Sequence, residues 1–203
     1  MKYNNSTDGL PSNVLLVDRR EGLLDIRSSG INLVLWKIEE DPLITNFFAR
    51  VDEITIYDEV SESFERRVKE WFDHPGKDAF LEEHRKLYEI MEGLQDVNES
   101  ILSVMDGSAE GYNFHQDQGY SLNWTLIGPT ALWVENQHVK ALNNKVYSPP
   151  ENSSVIRQLP PHHIAIYQGV TEEEREQHPE MLPFVHSRPD RPEVRRVLHQ
   201  IYC

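Results

Sequence analysis

The chain has 203 residues, 34 of them acidic and 20 basic, for a formal net charge of −14 with no basic run longer than a pair. That length predicts a single domain with its own core, and that charge excludes the phosphate-neutralising surface a DNA or RNA binder needs. The only cysteine, Cys203, rules out an intrachain disulfide and a cysteine-based zinc site. The polar opening "MKYNNSTDGLPSN" and the lack of any apolar run near the roughly 18 residues of a membrane span predict a cytoplasmic protein with no membrane partner.

No internal repeat or low-complexity segment is present. "INLVLWKI" and "EITIY" are short apolar runs expected as strands. "SESFERRVKEWF" opens on a serine or glutamate cap signal and places Phe64, Val68, Trp71 and Phe72 on one helical face. "GKDAFLEEHRKLYEIMEGL" repeats that period with Phe80, Leu81, His84, Leu87, Ile90 and Met91. Near residue 98 the texture changes. Short runs rich in β-branched and aromatic residues then follow one another: "ILSVM", "YNFHQD", "YSLNWTLI", "TALWVEN", "HVKAL", "VIRQL", "HIAIY", "PFVH" and "RRVLHQIY". Punctuated by "DG", "GP", "NN" and "PP", they predict a β-sandwich or barrel. One helical interruption, "TEEEREQ", carries a capping box from Thr171 to Glu174. The expectation is one domain over 1–203 of mainly β, α+β character: a helix-rich part over 1–97 and a β core over 98–203.

His115 and Asp117 stand two apart in "GYNFHQDQGY", a spacing that puts both on one face of a strand. Random order yields about half an occurrence of His-x-Asp in a chain of this composition, so the pair alone means little. Context adds weight: His186 closes a later strand in "PFVHSRP", and Arg195-Arg196 opens the next, with Arg196 ten residues after His186. Two imidazoles and one carboxylate on one face of Fe(II) leave positions open for a bidentate co-substrate and O₂. An arginine on a neighbouring strand can grip the far carboxylate of a dicarboxylate with two parallel charge-assisted hydrogen bonds.

This arrangement resembles the double-stranded β-helix of the Fe(II)/2-oxoglutarate-dependent dioxygenases. It resembles more closely the bacterial family designated domain of unknown function 1826, through "LVLW", "FHQD", "LIGPTALWVEN", "HIAIYQG" and "VHSRPDRPEVRRVLHQIY". The likeness spans nearly the whole chain and is dense from about residue 110 onward. It implies a jelly-roll core packed against helices, Fe(II) on His115, Asp117 and His186, and 2-oxoglutarate as co-substrate. The reaction it implies is hydroxylation or demethylation of a small molecule or a protein side chain. The retained Asp117 argues against halogenation. The sequence departs from the pattern in one place: the family reads His-Arg-Ser-Pro at the distal histidine, and here the order is His186-Ser187-Arg188-Pro189.

Each residue has a structural alternative. His115 is readable as a half-exposed strand histidine, Asp117 as a turn residue before Gly119, and His186 as a strand-end cap. If the last strand alternates, Arg196, Leu198, Gln200 and Tyr202 share one face, and Arg195, Val197, His199 and Ile201 the other. The two faces are chemically similar. The ten-residue offset from His186 matches the spacing common in 2-oxoglutarate oxygenases, so the resemblance implies Arg196 as the co-substrate anchor, with Arg195 the register alternative and Arg188 a weaker one. His162 and His163 read as a surface pair and His84 as a satisfied core histidine, while Trp124, Trp133 and Tyr112 pack within or line the barrel. Two further functions stay open: a cupin-like metalloprotein isomerase or lyase that ignores 2-oxoglutarate, and a non-catalytic binding module.

Overall fold

The computed structural model describes residues 6–106, 113–140, 146–148, 150–177, 181, 183–189 and 194–203. Two sheets organise the chain. The larger has seven strands, β1 (Val14–Val17), β2 (Leu33–Lys37), β3 (Ile54–Asp58), β4 (Glu99–Met105), β6 (Tyr120–Ile127), β10 (His163–Gln168) and β12 (Arg196–Tyr202), in the order β1-β2-β10-β6-β12-β4-β3. All its pairings are antiparallel except β1 with β2. The smaller has five short antiparallel strands, β5 (Phe114–His115), β7 (Leu132–Val134), β8 (Val146–Tyr147), β9 (Ile156–Gln158) and β11 (Val185–Ser187), in the order β8-β5-β11-β7-β9. Three strands from the first ninety-seven residues complete the larger sheet, so the β core draws on both parts of the chain.

Helices α1 (Pro42–Phe48), α2 (Ser61–Lys69) and α3 (Pro75–Glu92) cover the outer face of the larger sheet. Phe47, Phe64, Phe80, Leu87 and Met91 meet Leu102, Leu122, Ile164, Val197 and Ile201 there in the main apolar core. Proline at the first helical position starts α1 and α3, and the caps are Asp41, whose Oδ1 accepts from the Leu43 N–H at 2.8 Å, and His74, whose Nδ1 accepts from the Gly76 N–H at 3.0 Å. A second apolar cluster, with Leu33, Leu35, Trp133, Tyr167 and Phe184, lies between the sheets, and a third lines the far side of the smaller one. Trp133 therefore packs inside, whereas Trp124 faces the helices. Tyr112 lies outside the described residues.

α4 (Glu172–Gln177) carries the expected box: Thr171 Oγ1 accepts from the Glu174 N–H at 3.2 Å, and Glu174 Oε2 accepts from the Thr171 N–H at 2.8 Å. Other elements differ from expectation. α2 stops at Lys69, before Trp71 and Phe72, because the buried Lys77 ammonium donates to the carbonyls of Lys69 and Trp71 and closes the helix end. Phe72 is left 43% exposed. No side chain caps the start of α2. The strand expected over 138–142 does not form at 138–140, where the chain leaves a 3-10 turn and the Lys140 carbonyl accepts from the Ser148 N–H; positions 141 and 142 lie outside the described residues. No helix among the described residues is long and apolar enough to cross a membrane.

Candidate metal centre

Three elements converge between the two sheets. In the smaller sheet β5 and β11 pair so that His115 and His186 stand directly opposite, with ring centroids 4.5 Å apart. Asp117 leaves the end of β5 on a loop anchored at three points. The buried Gln116 Oε1 accepts from the Val170 N–H at 3.0 Å, the Gly119 carbonyl accepts from the Gly169 N–H at 2.8 Å, and Gly169 lies so near the Asp117 carbonyl that a Cβ there would come within 1.7 Å of it. Gly119, at φ +68°, takes a left-handed turn that favours glycine. Asp117 Oδ1 then lies 3.7 Å from His115 Nε2, and Oδ2 lies 3.6 Å from His186 Nε2. One ligand atom from each residue falls within 4.8 Å of the others.

Hydrogen bonding orients the donors. His115 Nδ1–H donates to the Asn113 carbonyl at 2.9 Å, which leaves the Nε2 lone pair toward Asp117. The His186 ring is buried, stacked against Phe184 and beside Tyr167, whose hydroxyl is 3.3 Å from Nε2. Burial pushes the His186 imidazole down to about 4, against the opposing pull of the Asp117 carboxylate, so the ring is neutral at neutral pH. Burial, reinforced by the Asp117 charge, raises Tyr167 well above the ordinary phenol range and keeps it a proton donor. Asp117 Oδ2 is buried with no hydrogen-bond partner among the described residues. Bonds of about 2.0 to 2.2 Å to a shared ion call for donors about 3 to 4.4 Å apart, a span that contains both measured carboxylate–imidazole separations. The donor set fits a divalent ion.

A cavity of about 160 Å³ joins these histidines to the larger sheet, lined among others by Asn123, Arg196, Leu198, Gln200 and Tyr202. The face of β12 that lines it is the one carrying Arg196; Val197 and Ile201 face the helices instead. Arg196 is buried, with 6% of its surface exposed, and its Nε has no partner among the described residues. Burial lowers its pKa to about 10, which leaves the guanidinium charged at neutral pH. Opposite Val197 and Leu198 the pairing skips one residue of β6, Leu126, so the register shift lies in β6 while β12 keeps its alternation. Arg195 does not reach the cavity, because it sits on the other side of β12, where it pairs with Asp106 and donates to the carbonyls of Phe48 and Val51.

The other histidines weighed from the sequence lie elsewhere. His162 is exposed at a turn with φ 58°, His163 opens β10 with Nδ1 on the Pro161 carbonyl, and His84 is fully buried against His199. Sequence patterning passed over Tyr167 and Asn123. "HIAIYQ" is apolar on both faces, so only the apposition of β10 to β11 reveals that Tyr167 abuts His186.

No protein-family model and no curated protein matches the chain. Among solved structures, the C-terminally truncated T7H of Neurospora crassa in apo form aligns over 100% of this chain and 98% of its own, with TM-score 0.50 and 11% identity. The α-ketoglutarate-dependent non-heme carbocyclase SnoK of nogalamycin biosynthesis aligns over 90% and 82%, at TM-score 0.46 and 10% identity. Full-length Neurospora crassa T7H in complex with α-KG and 5-formyluracil aligns over 100% and 87%, at TM-score 0.43 and 11% identity. The fold is thus mainly β with helices, a double-stranded β-helix shared with truncated T7H.

Proposed function

We propose that the chain is an Fe(II)/2-oxoglutarate-dependent oxygenase, a hydroxylase or demethylase acting in the cytoplasm on a small molecule or a protein side chain. Its sequence resemblance to domain of unknown function 1826 belongs to the same reading. The observation that carries it is that His115 and His186, two of the three residues that could hold an ion, open onto one cavity with a buried Arg196 whose Nε has no partner among the described residues. A guanidinium withdrawn from water without an anion is costly, and a carboxylate arriving from outside removes that cost. Asp117 lies instead beside the two imidazoles.

His115, Asp117 and His186 would hold iron, and Arg196 the far carboxylate of 2-oxoglutarate. When bound, the pair supplies oxidative decarboxylation to succinate and CO₂, coupled to oxidation of the substrate by O₂. The chain's own residues do the positioning. Tyr167 stays protonated and can donate toward the Asp117–His186 edge, Asn123 adds a polar wall, and Leu198 and Met105 make the cavity apolar near the arginine. The cupin-like alternative lacks a use for Arg196.

The test is anaerobic addition of Fe(II) followed by 2-oxoglutarate, with the visible metal-to-ligand charge-transfer band of the chelate as readout. The band is expected in the wild type. Retention of metal with no band at saturating 2-oxoglutarate would replace the oxygenase reading with the cupin-like one.

A further inference from the structure

Arg188 follows β11 directly and stands two residues beyond His186. It lines the same cavity as His186 and Arg196, but where Arg196 is buried Arg188 is exposed. The two guanidiniums therefore differ in depth, one at the floor and one at the mouth. Among the described residues the Arg188 guanidinium has no ion-pair or hydrogen-bond partner, whereas Arg157 is paired with Glu135 and Arg195 with Asp106. Its charge reaches Arg196 and Tyr202 across the cavity.

Charge balance gives this a consequence that rests on the oxygenase reading. Among the described residues, two guanidiniums and a divalent ion are set against the one carboxylate of the ligand group, Asp117, which leaves three positive charges at the site. A dicarboxylate co-substrate cancels two of them, at the metal and at Arg196. One remains, at the mouth, where a second molecule must enter. We infer that Arg188 recognises the primary substrate, and that this substrate carries a singly charged oxyanion, a carboxylate or a sulfonate, near the position to be oxidised. Arginine suits either group, because its planar fork meets two oxygens at once.

The probes are acetate and methanesulfonate, with acetamide as the uncharged control, titrated anaerobically into the protein loaded with Fe(II) and saturating 2-oxoglutarate. In wild type, one or both anions should perturb the charge-transfer band and acetamide should not; which anion acts separates the carboxylate from the sulfonate source. In Arg188→Gln the response should weaken by about tenfold or more, while the affinity for 2-oxoglutarate changes by less than about threefold. Arg188→Lys should restore part of the response. The inference is overturned if neither anion acts on wild type, or if the anions act equally on wild type and Arg188→Gln. It is also overturned if Arg188→Gln weakens 2-oxoglutarate itself by about tenfold, because both arginines then clamp the co-substrate. If wild type gives no band at all, the oxygenase reading fails separately. The Arg188 comparison is then read from the thermal midpoint of the metal-loaded protein with and without each anion.

Discussion

Neighbouring residues in one strand can carry opposite duties, and Arg195 and Arg196 are the case in point. Arg196 lies in the cavity with no partner for its Nε among the described residues, so on the proposed function its truncation should weaken 2-oxoglutarate by about 30- to 150-fold, the equivalent of about 2 to 3 kcal/mol for a charge-assisted bidentate pair. Iron should stay in place in Arg196→Ala. Arg195 instead ties the start of β12 to the end of α1 through the Phe48 and Val51 carbonyls. Arg195→Ala should leave 2-oxoglutarate binding unchanged and cost about 1 to 3 kcal/mol of stability in urea titration, from those lost bonds. A reversal of the two phenotypes would sink the assignment. Asp117→Ala removes a loop carboxylate that is 15% exposed and lies beside the two imidazoles, so it should abolish iron retention and keep the native circular-dichroism spectrum. Loss of that spectrum would mark Asp117 as structural.

At the level of the element, β12 is polar on both faces for two separate reasons. Its inner face carries the site, and its outer face carries His199, fully buried against Phe64, Phe80 and Trp124. His199 Nδ1–H donates to the Ile101 carbonyl at 3.0 Å, so its Nε2 must accept from His84 Nδ1–H at 3.1 Å, and His84 Nε2 in turn accepts from the Ser61 hydroxyl at 3.3 Å. This chain joins β4, β12, α3 and α2 and closes only with both rings neutral. Among the described residues no carboxylate faces it; Arg85 on α3 adds a like charge, and Tyr88 is a further titratable neighbour. Burial pushes His199 down to about 4 and His84 well below the ordinary imidazole range. Unfolded, both rings take up protons near 6.5, so the native state loses stability as pH falls from about 6.5 toward 4. His199 alone should account for about 2 kcal/mol between pH 7 and 5, and the slope should flatten in His199→Gln. An unchanged slope in that variant would refute the chain of bonds. The same strand marks how far the sequence could be read. β6 was legible to its ends, and the ten-residue offset pointed to Arg196. The outer face of β12 was not legible, because His199 owes its burial to a partner 115 residues away. β1 and α1, with four and seven residues, are too short for a period to emerge.

Across the whole molecule the two sheets are unequally supported. The larger is backed by three helices and the main core, whereas every strand of the smaller has only two or three residues. His115 and His186 come from that weaker sheet, and Asp117 from a loop tied to the end of β10 in the stronger one. An ion shared by the three would thus act as a cross-link from one sheet to the other, and its binding energy would be felt as folding energy. At a free metal concentration of about 100 times Kd the native state should gain about 2.7 kcal/mol, which for a chain of this size raises Tm by about 5 to 10 °C. Differential scanning fluorimetry with and without chelator measures that shift, and Asp117→Ala and His186→Ala should lack it. Hydrogen exchange locates it: amides of β5 and β11 should gain protection against local openings that release the ion, whereas β4, whose partners β3 and β12 contain no ligand, should gain only through global unfolding. No gain at β5 and β11, or a full Tm shift retained by either variant, would place the ion somewhere other than between the sheets.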